Sequence, residues 1–325
     1  MIFEQRVLQF IKKNNLVVPR GLVITGVSGG ADSMALLLTL AHLRHSLGVQ
    51  LHAIHFNHQF RVDSLHDVQF VAHWCKQLNV PLTIGRRLGG KIKHLSEDEA
   101  RQMRFEFFRK TAKQLNAQSV ALAHTKNDLA ETVLMRLMRG SGLYGLRAIL
   151  PSRVIDSVTY VRPLMGINRQ DVEAYLQMKK TPFCTDSTNS LMSYERNKVR
   201  LELLPALARG YNPQIINALS DLATTAGEDY DFLSQQASKQ FKKNVITVNK
   251  KVKLDLQGIK NQHPAIIRLL LRLMVESLTQ DPSLLTFDHI QALENIITSN
   301  SSECLHLSNH LKAVKKQKHL EIFYA

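Results

Sequence analysis

The string Ser28, Gly29, Gly30, Ala31, Asp32, Ser33 is the first place in this sequence where residue types and spacing could do chemistry. Two adjacent glycines carry no Cβ, so the backbone can turn sharply there and a ligand can approach it closely. An apolar, β-branched run at residues 22–27 precedes them, and from Ser33 onward apolar residues recur at helical spacing. A strand, a tight loop and a helix are predicted, and the open N–H groups of the helix start suit a phosphate. A plain turn would use the same two glycines, and neither a Walker A loop nor a dinucleotide fingerprint is present. His55, Asn57 and His58 fall at the carboxyl end of a second predicted strand, residues 49–56, where ligands dock on an open α/β sheet. Ordinary loop residues would read the same way. Asp128 and Glu131 are spaced i, i+3 at the start of a predicted helix over 127–139, so both carboxylates share one face. The helix dipole alone would favour acidic residues there. Arg101 and Arg104 share a face of a helix predicted over 97–115, and Arg196, Lys198 and Arg200 concentrate positive charge further on.

The elements that must position these groups follow from the spacing of apolar residues. Helices are expected over 3–13 and 65–78, strands over 80–84 and 119–123, and a capping box from Ser96 and Glu99 starts the helix over 97–115. Alternation of strand and helix across 22–139 implies parallel βαβ units, which bring the phosphate loop, the histidine segment and the acidic pair to one edge of the sheet. After Gly145 this pattern stops. A small hairpin is expected at 154–161, turning through Asp156, Ser157 and Val158, then a helix capped by Asn168 and a basic segment over 194–204 closed by Pro205. From Asn212 long helical patterns take over, one at 213–241 with a break near Gly227 and others at 264–278 and 287–298, with a hairpin at 245–256 and short strands within 303–323. The fold class is α/β, with a parallel-sheet domain and basic connector at residues 1–210 and a mainly helical domain at 211–325.

Composition narrows the partners. The 325 residues exceed one typical domain. Of the net charge of +15, +13 lies in residues 1–210, a basic excess that fits a polyanion, nucleic acid first, or serves solubility alone. Cys75, Cys184 and Cys304 form no CxxC, which argues against an iron–sulfur or zinc site and against a disulfide framework. There is no apolar run of about 18 residues, and charges interrupt the N-terminal stretch, so neither a membrane span nor a secretory signal is expected and the cytoplasm is the expected compartment.

The six residues SGGADS resemble the PP-loop of the ATP pyrophosphatases, which adenylate an oxygen and release pyrophosphate. With HFNHQFR from His55, EDEARQMRFEFF from Glu97, AHTKNDLAETVLMRLMRGSGLYGL from Ala123, RPL from Arg162 and TDSTNSLMSYERNKVRLELLP from Thr185, the first two thirds of the chain resemble the tRNA(Ile)-lysidine synthetase family. Asn127 and Leu129 stand where that family commonly has aspartate and glutamine. The resemblance implies a PP-loop domain of the adenine nucleotide alpha hydrolase-like kind, then a helical connector and a tRNA-binding domain. It implies ATP held at Ser28, Gly29, Gly30, Ala31, Asp32 and Ser33 with His55, Asn57 and His58 nearby, and Mg²⁺ held with help from Asp32. The C2 carbonyl oxygen of the wobble cytidine of tRNA(Ile), in a CAU anticodon, would attack the α-phosphate, and the ε-amine of free L-lysine would then displace AMP. Asp128 and Glu131 would bind the lysine and accept its proton, while Arg101 with Arg196 or Arg200 would stabilise charge on the phosphate. Other readings are a different PP-loop enzyme, such as a tRNA thiolase or an amide-forming synthetase, and a nucleotide-gated RNA-binding module without activity. The missing CxxC weakens the thiolase, and the basic first half weakens a small-molecule synthetase. The C-terminal half carries no visible chemistry and suits RNA docking, formation of a homodimer or inert packing.

Overall fold

Leu22–Gly26 form β1, the strand on which the first part of the chain is built: it pairs in parallel with β2 (Gln50–Asn57) on one side and β4 (Ser119–Ala121) on the other. The computed structural model describes residues 2–58, 64–87, 97–184, 195–280, 284–299 and 304–325. These residues divide into two units, Met1–Thr225 and Ala226–Ala325. In the first, β3 (Leu82–Arg86), β5 (Ser152–Ile155) and β6 (Val158–Val161) complete a six-stranded sheet of order β3-β2-β1-β4-β6-β5. All neighbours are parallel except β5 and β6. Val23 of β1 faces a core with α1 (Phe3–Lys13) and α2 (Ala31–Leu47), while the next residue, Ile24, faces the opposite core with Phe108 and Ala112 of α4 (Glu97–Gln114). A strand covered on both faces reads as a nearly continuous apolar run, as β1 does apart from Thr25. α3 (Ser64–Gln77), α5 (Lys126–Met138), α6 (Leu143–Leu146) and α7 (Arg169–Met178) complete the helical layers.

Four local expectations are corrected. The α/β alternation does not end at Gly145, because β6 adds another parallel strand beside β4. Its hairpin turns on two residues only, Asp156 and Ser157, both at positive φ (48° and 68°), so Val158 is a buried strand residue rather than part of the turn. Asn168 occupies the N-cap position of α7 but makes no capping bond with its side chain. The Arg169 N–H instead donates to Oδ1 of Asn127, at 2.9 Å, a partner brought in by the tertiary fold. Pro205 does not close a helix. α8 (Glu195–Lys198) runs into a π-helical turn, Val199–Leu203, and then α9 (Leu204–Gly210), with Pro205 in the first turn of α9. A residue without an N–H leaves a carbonyl of the preceding turn unpaired, and the wider turn lies at that point. The Ser96 end of the expected capping box and residues 185–194 of the motif beginning at Thr185 lie outside the described residues.

α10 (Ile215–Asn244) is continuous through Gly227, where a break was expected. In the second unit, β7 (Val245–Val248) and β8 (Lys251–Asp255) form a hairpin around Asn249 and Lys250. With β9 (Cys304–His306), β10 (Leu311–Lys316) and β11 (His319–Tyr324) they make an antiparallel sheet of order β7-β8-β11-β10-β9. Leu270, Leu271 and Met274 of α12 (Pro264–Thr279) and Leu293 of α13 (Phe287–Thr298) pack with Val252, Leu254, Ala313 and Ile322 of the sheet. No helix among the described residues is long and apolar enough to cross a membrane.

Candidate active site

The strand order reverses at β1, since β2 and β3 lie on one side of it and β4 on the other. Chains leaving the carboxyl ends of β1 and β4 therefore diverge and open a crevice between them. The phosphate loop follows β1, and the helix carrying Asp128 and Glu131 follows β4. A cavity of about 530 Å³ occupies this crevice.

The loop is held by its own hydroxyls. Ser33 Oγ accepts the N–H groups of Ser28 (3.1 Å) and Gly29 (3.2 Å) and donates to the Gly30 carbonyl (2.9 Å). Gly29 adopts φ +93°, a conformation that disfavours any residue with a Cβ. Asp32 lies in the first turn of α2. Its Oδ1 is buried without a hydrogen-bond partner, and Oδ2 stands 4.0 Å from Arg169 Nη1. Burial raises its pKa to about 6 against the attraction of Arg169. An orphaned carboxylate oxygen at the mouth of a phosphate loop fits a divalent cation. No group of three or more His, Cys, Asp or Glu that could hold a metal occurs among the described residues, so phosphate and water oxygens would supply the remaining ligands.

Ser28, Gly30, Ala31, Asp32, Ser33, His55, Asn57, His58, Arg101, Asp128 and Arg200 all line the cavity, whereas Gly29, Glu131 and Arg196 do not. His55 donates its Nδ1–H to the Val27 carbonyl (2.8 Å), which leaves Nε2 as the acceptor nitrogen. Burial lowers the pKa of His58 to about 4, assisted by Arg104, so its imidazole is neutral at physiological pH.

Glu131 and Arg196 enter the site through ion pairs. Arg196 Nε donates to Glu131 Oε2 (2.9 Å) and its Nη2 to Asp128 Oδ1 (3.0 Å). Arg200 Nε donates to Glu131 Oε1 (2.6 Å), and its Nη2 to Glu131 Oε2 (2.9 Å) and Asp128 Oδ1 (3.3 Å). The other Asp128 oxygen, Oδ2, accepts the N–H (2.8 Å) and hydroxyl (3.0 Å) of Thr125 in a capping box. Burial pulls the Asp128 pKa upward, but His124, Arg196, the Thr125 N–H and Arg200 outweigh it and leave the carboxyl below its ordinary value. The two arginines assigned from sequence to the phosphate thus neutralise the acidic pair here. The side chain of Glu131 is only 2% exposed and that of Asp128 14%.

Several lining residues had no assigned role from sequence. Arg104 shares its helix face with Arg101, which is a local signal. Arg169, His124 and Cys184 give no such signal. Arg169 arrives on α7, and Cys184 is fixed by its N–H donating to the Gly29 carbonyl at 2.9 Å, a contact between residues far apart in sequence. His124 has an Nδ1 buried without a partner, and burial lowers its pKa to about 4.

Residues 1–207 match the family model of a PP-loop domain, and residues 254–320 match that of the TilS substrate binding domain. The chain is 31% identical to a tRNA(Ile)-lysidine synthase of Caldanaerobacter subterraneus subsp. tengcongensis, over 98% of its own length and 68% of that protein's. It is also 31% identical to a tRNA(Ile)-lysidine synthase of Clostridium acetobutylicum, over 94% of this chain and 67% of the other. Among solved structures it is similar in fold to the U34-tRNA thiolase NcsA of Methanococcus maripaludis, with a TM-score of 0.55 and 15% identity over 68% of this chain and 78% of that one.

Proposed function

We infer the reaction from one premise: the chain belongs to the tRNA(Ile)-lysidine synthase family. It is an ATP-dependent ligase that forms lysidine on tRNA(Ile), joining lysine to C2 of the wobble cytidine through an adenylated base and releasing AMP and pyrophosphate. The observation that carries this assignment of the site is the shared cavity, in which the phosphate loop after β1 and Asp128 after β4 face one crevice. Two half-reactions need that proximity, because the nucleotide activated at the loop must be within reach of the amine that displaces AMP.

In this reading the N–H groups at the start of α2 and the Ser28 to Ser33 loop hold the ATP phosphates. Asp32 would hold Mg²⁺, which supplies counter-charge for the departing pyrophosphate. Arg101 and Arg169 add positive charge to the cavity lining, Arg169 beside Asp32, and His55, Asn57 and His58 form the wall at the carboxyl end of β2. Asp128 and Glu131 bind the cationic end of lysine. For that, a carboxylate oxygen now held by Arg196 or Arg200 has to become available, and those guanidinium groups are then free to face the phosphate. The reacting cytosine must leave its stack to enter the crevice, which favours a loop over a duplex as the recognised RNA. We place the reaction in the cytoplasm.

Pyrophosphate release measured with ATP, lysine and tRNA(Ile) tests the assignment. Activation should depend on the tRNA, and conversion of the adenylated base should depend on lysine. Release that needs neither, or incorporation of sulfur in place of lysine, would reject it.

A further inference from the structure

The turn joining α5 to α6 exposes an unusual group of side chains. Met138 is 60% exposed, Leu137 51%, Leu143 39% and Tyr144 36%. Gly140, at φ +74°, lies in the short turn between the end of α5 and the start of α6, which carry these four side chains. Several large apolar side chains exposed around one short turn mark a contact surface. Their charge surroundings say which kind. Between Glu131 and Asp156 the chain carries four arginines and no acidic residue. The Arg147 guanidinium lies 4.3 Å over the Tyr144 ring, and its Nε donates to the Tyr144 carbonyl at 3.3 Å. Arg136 is exposed one turn before the corner, and Arg139 pairs with Glu195. A ring layered with a guanidinium inside a positive field matches the π-faces and phosphates of unstacked nucleotides. α5 begins at the cavity with Asp128, and Met138 lies about 15 Å further along its axis. A single strand covers that distance in roughly four or five stacked nucleotides.

We propose that the α5–α6 corner, formed by Leu137, Met138, Leu143 and Tyr144 with Arg136 and Arg147, docks the single-stranded loop of the RNA substrate beside the nucleotide that enters the cavity. The proposal rests on the lysidine-forming reading and adds to it a contact surface within the PP-loop domain itself.

The test compares the full chain with its Met138→Glu and Tyr144→Leu variants, using the anticodon stem-loop of tRNA(Ile) as probe, by direct binding and by steady-state kinetics. Both side chains are exposed, and Tyr144→Leu keeps an apolar group, so folding is not at issue. Each variant is expected to weaken RNA binding about tenfold or more, with KM for ATP and kcat at saturating RNA within about twofold of wild type. Arg147→Ala should flatten the salt dependence of binding by about one phosphate contact. RNA affinity unchanged in both apolar-corner variants overturns the proposal. So does self-association of the wild type that Met138→Glu abolishes while RNA affinity stays intact, since the corner would then join two copies. Binding is read without turnover, so a wild type that binds the stem-loop but makes no lysidine would sink the reaction assigned above and leave the docking surface standing.

Discussion

Asp128 and Glu131 are the residues on which the assigned chemistry turns, and their environment sets how their loss should show. Both are engaged by two guanidinium groups, so Glu131→Gln leaves Arg196 and Arg200 partly uncompensated around a side chain only 2% exposed. Removing one partner of such a network costs about 3 kcal/mol, read as a lower denaturation midpoint. Asp128→Asn and Glu131→Gln should each raise KM for lysine at least about tenfold, while ATP affinity measured by equilibrium binding changes little. Equal loss of ATP affinity would contradict their assignment to lysine. His58 offers a pH test. Its folded pKa of about 4 lies below the ordinary 6.5, so on acidification the unfolded chain takes up this proton first. Its contribution to stability is therefore complete above about pH 6.5 and is lost as pH falls toward about 4. Urea midpoints measured between about pH 7.5 and about pH 4.5 should fall in the wild type and fall less in His58→Gln.

At the scale of elements, two glycines separate function from stability. Gly29→Ala places a Cβ on backbone at φ +93° and only 3.3 Å from Cys184 Sγ. The strain of about 1–2 kcal/mol should appear mainly as weakened ATP binding, because the loop can relax only by giving up its phosphate-holding shape. Gly85→Ala, in β3, would bring a Cβ to 2.7 Å from the Phe107 ring of α4. That overpacking should lower stability by about 1–3 kcal/mol. KM for ATP should stay within about twofold, since Gly85 and Phe107 do not line the cavity. The π turn at Val199–Leu203 shows a different lesson at this scale. Helical periodicity identifies the segment, but the one-residue widening before Pro205, in which Arg200 lies, is fixed by which carbonyls find donors.

For the whole molecule, the basic excess of the first 210 residues predicts RNA binding that depends steeply on salt. A plot of log affinity against log salt should be linear, with a slope of about −0.7 for each phosphate contact to single-stranded RNA. A flat line would remove the basic face as a docking surface. Much of the architecture is written locally. The glycine pair between an apolar strand and a helix, and the i, i+3 carboxylates beyond a later strand, each announce their element through backbone freedom and periodicity, and parallel connectivity then puts both at one sheet edge. Sequence alone therefore placed the glycine loop and the acidic pair at one edge of the sheet, and the loop and Asp128 line one cavity. It did not determine the pairing inside that site. That Arg196 and Arg200 close on Asp128 and Glu131, that Arg169 faces Asp32, and that Asn127 rather than Asn168 caps α7 depend on residues 42 to 137 positions apart meeting across packed elements. Such contacts leave no trace in local spacing, because burial and charge compensation act on neighbours in space, and only the tertiary structure decides who those neighbours are.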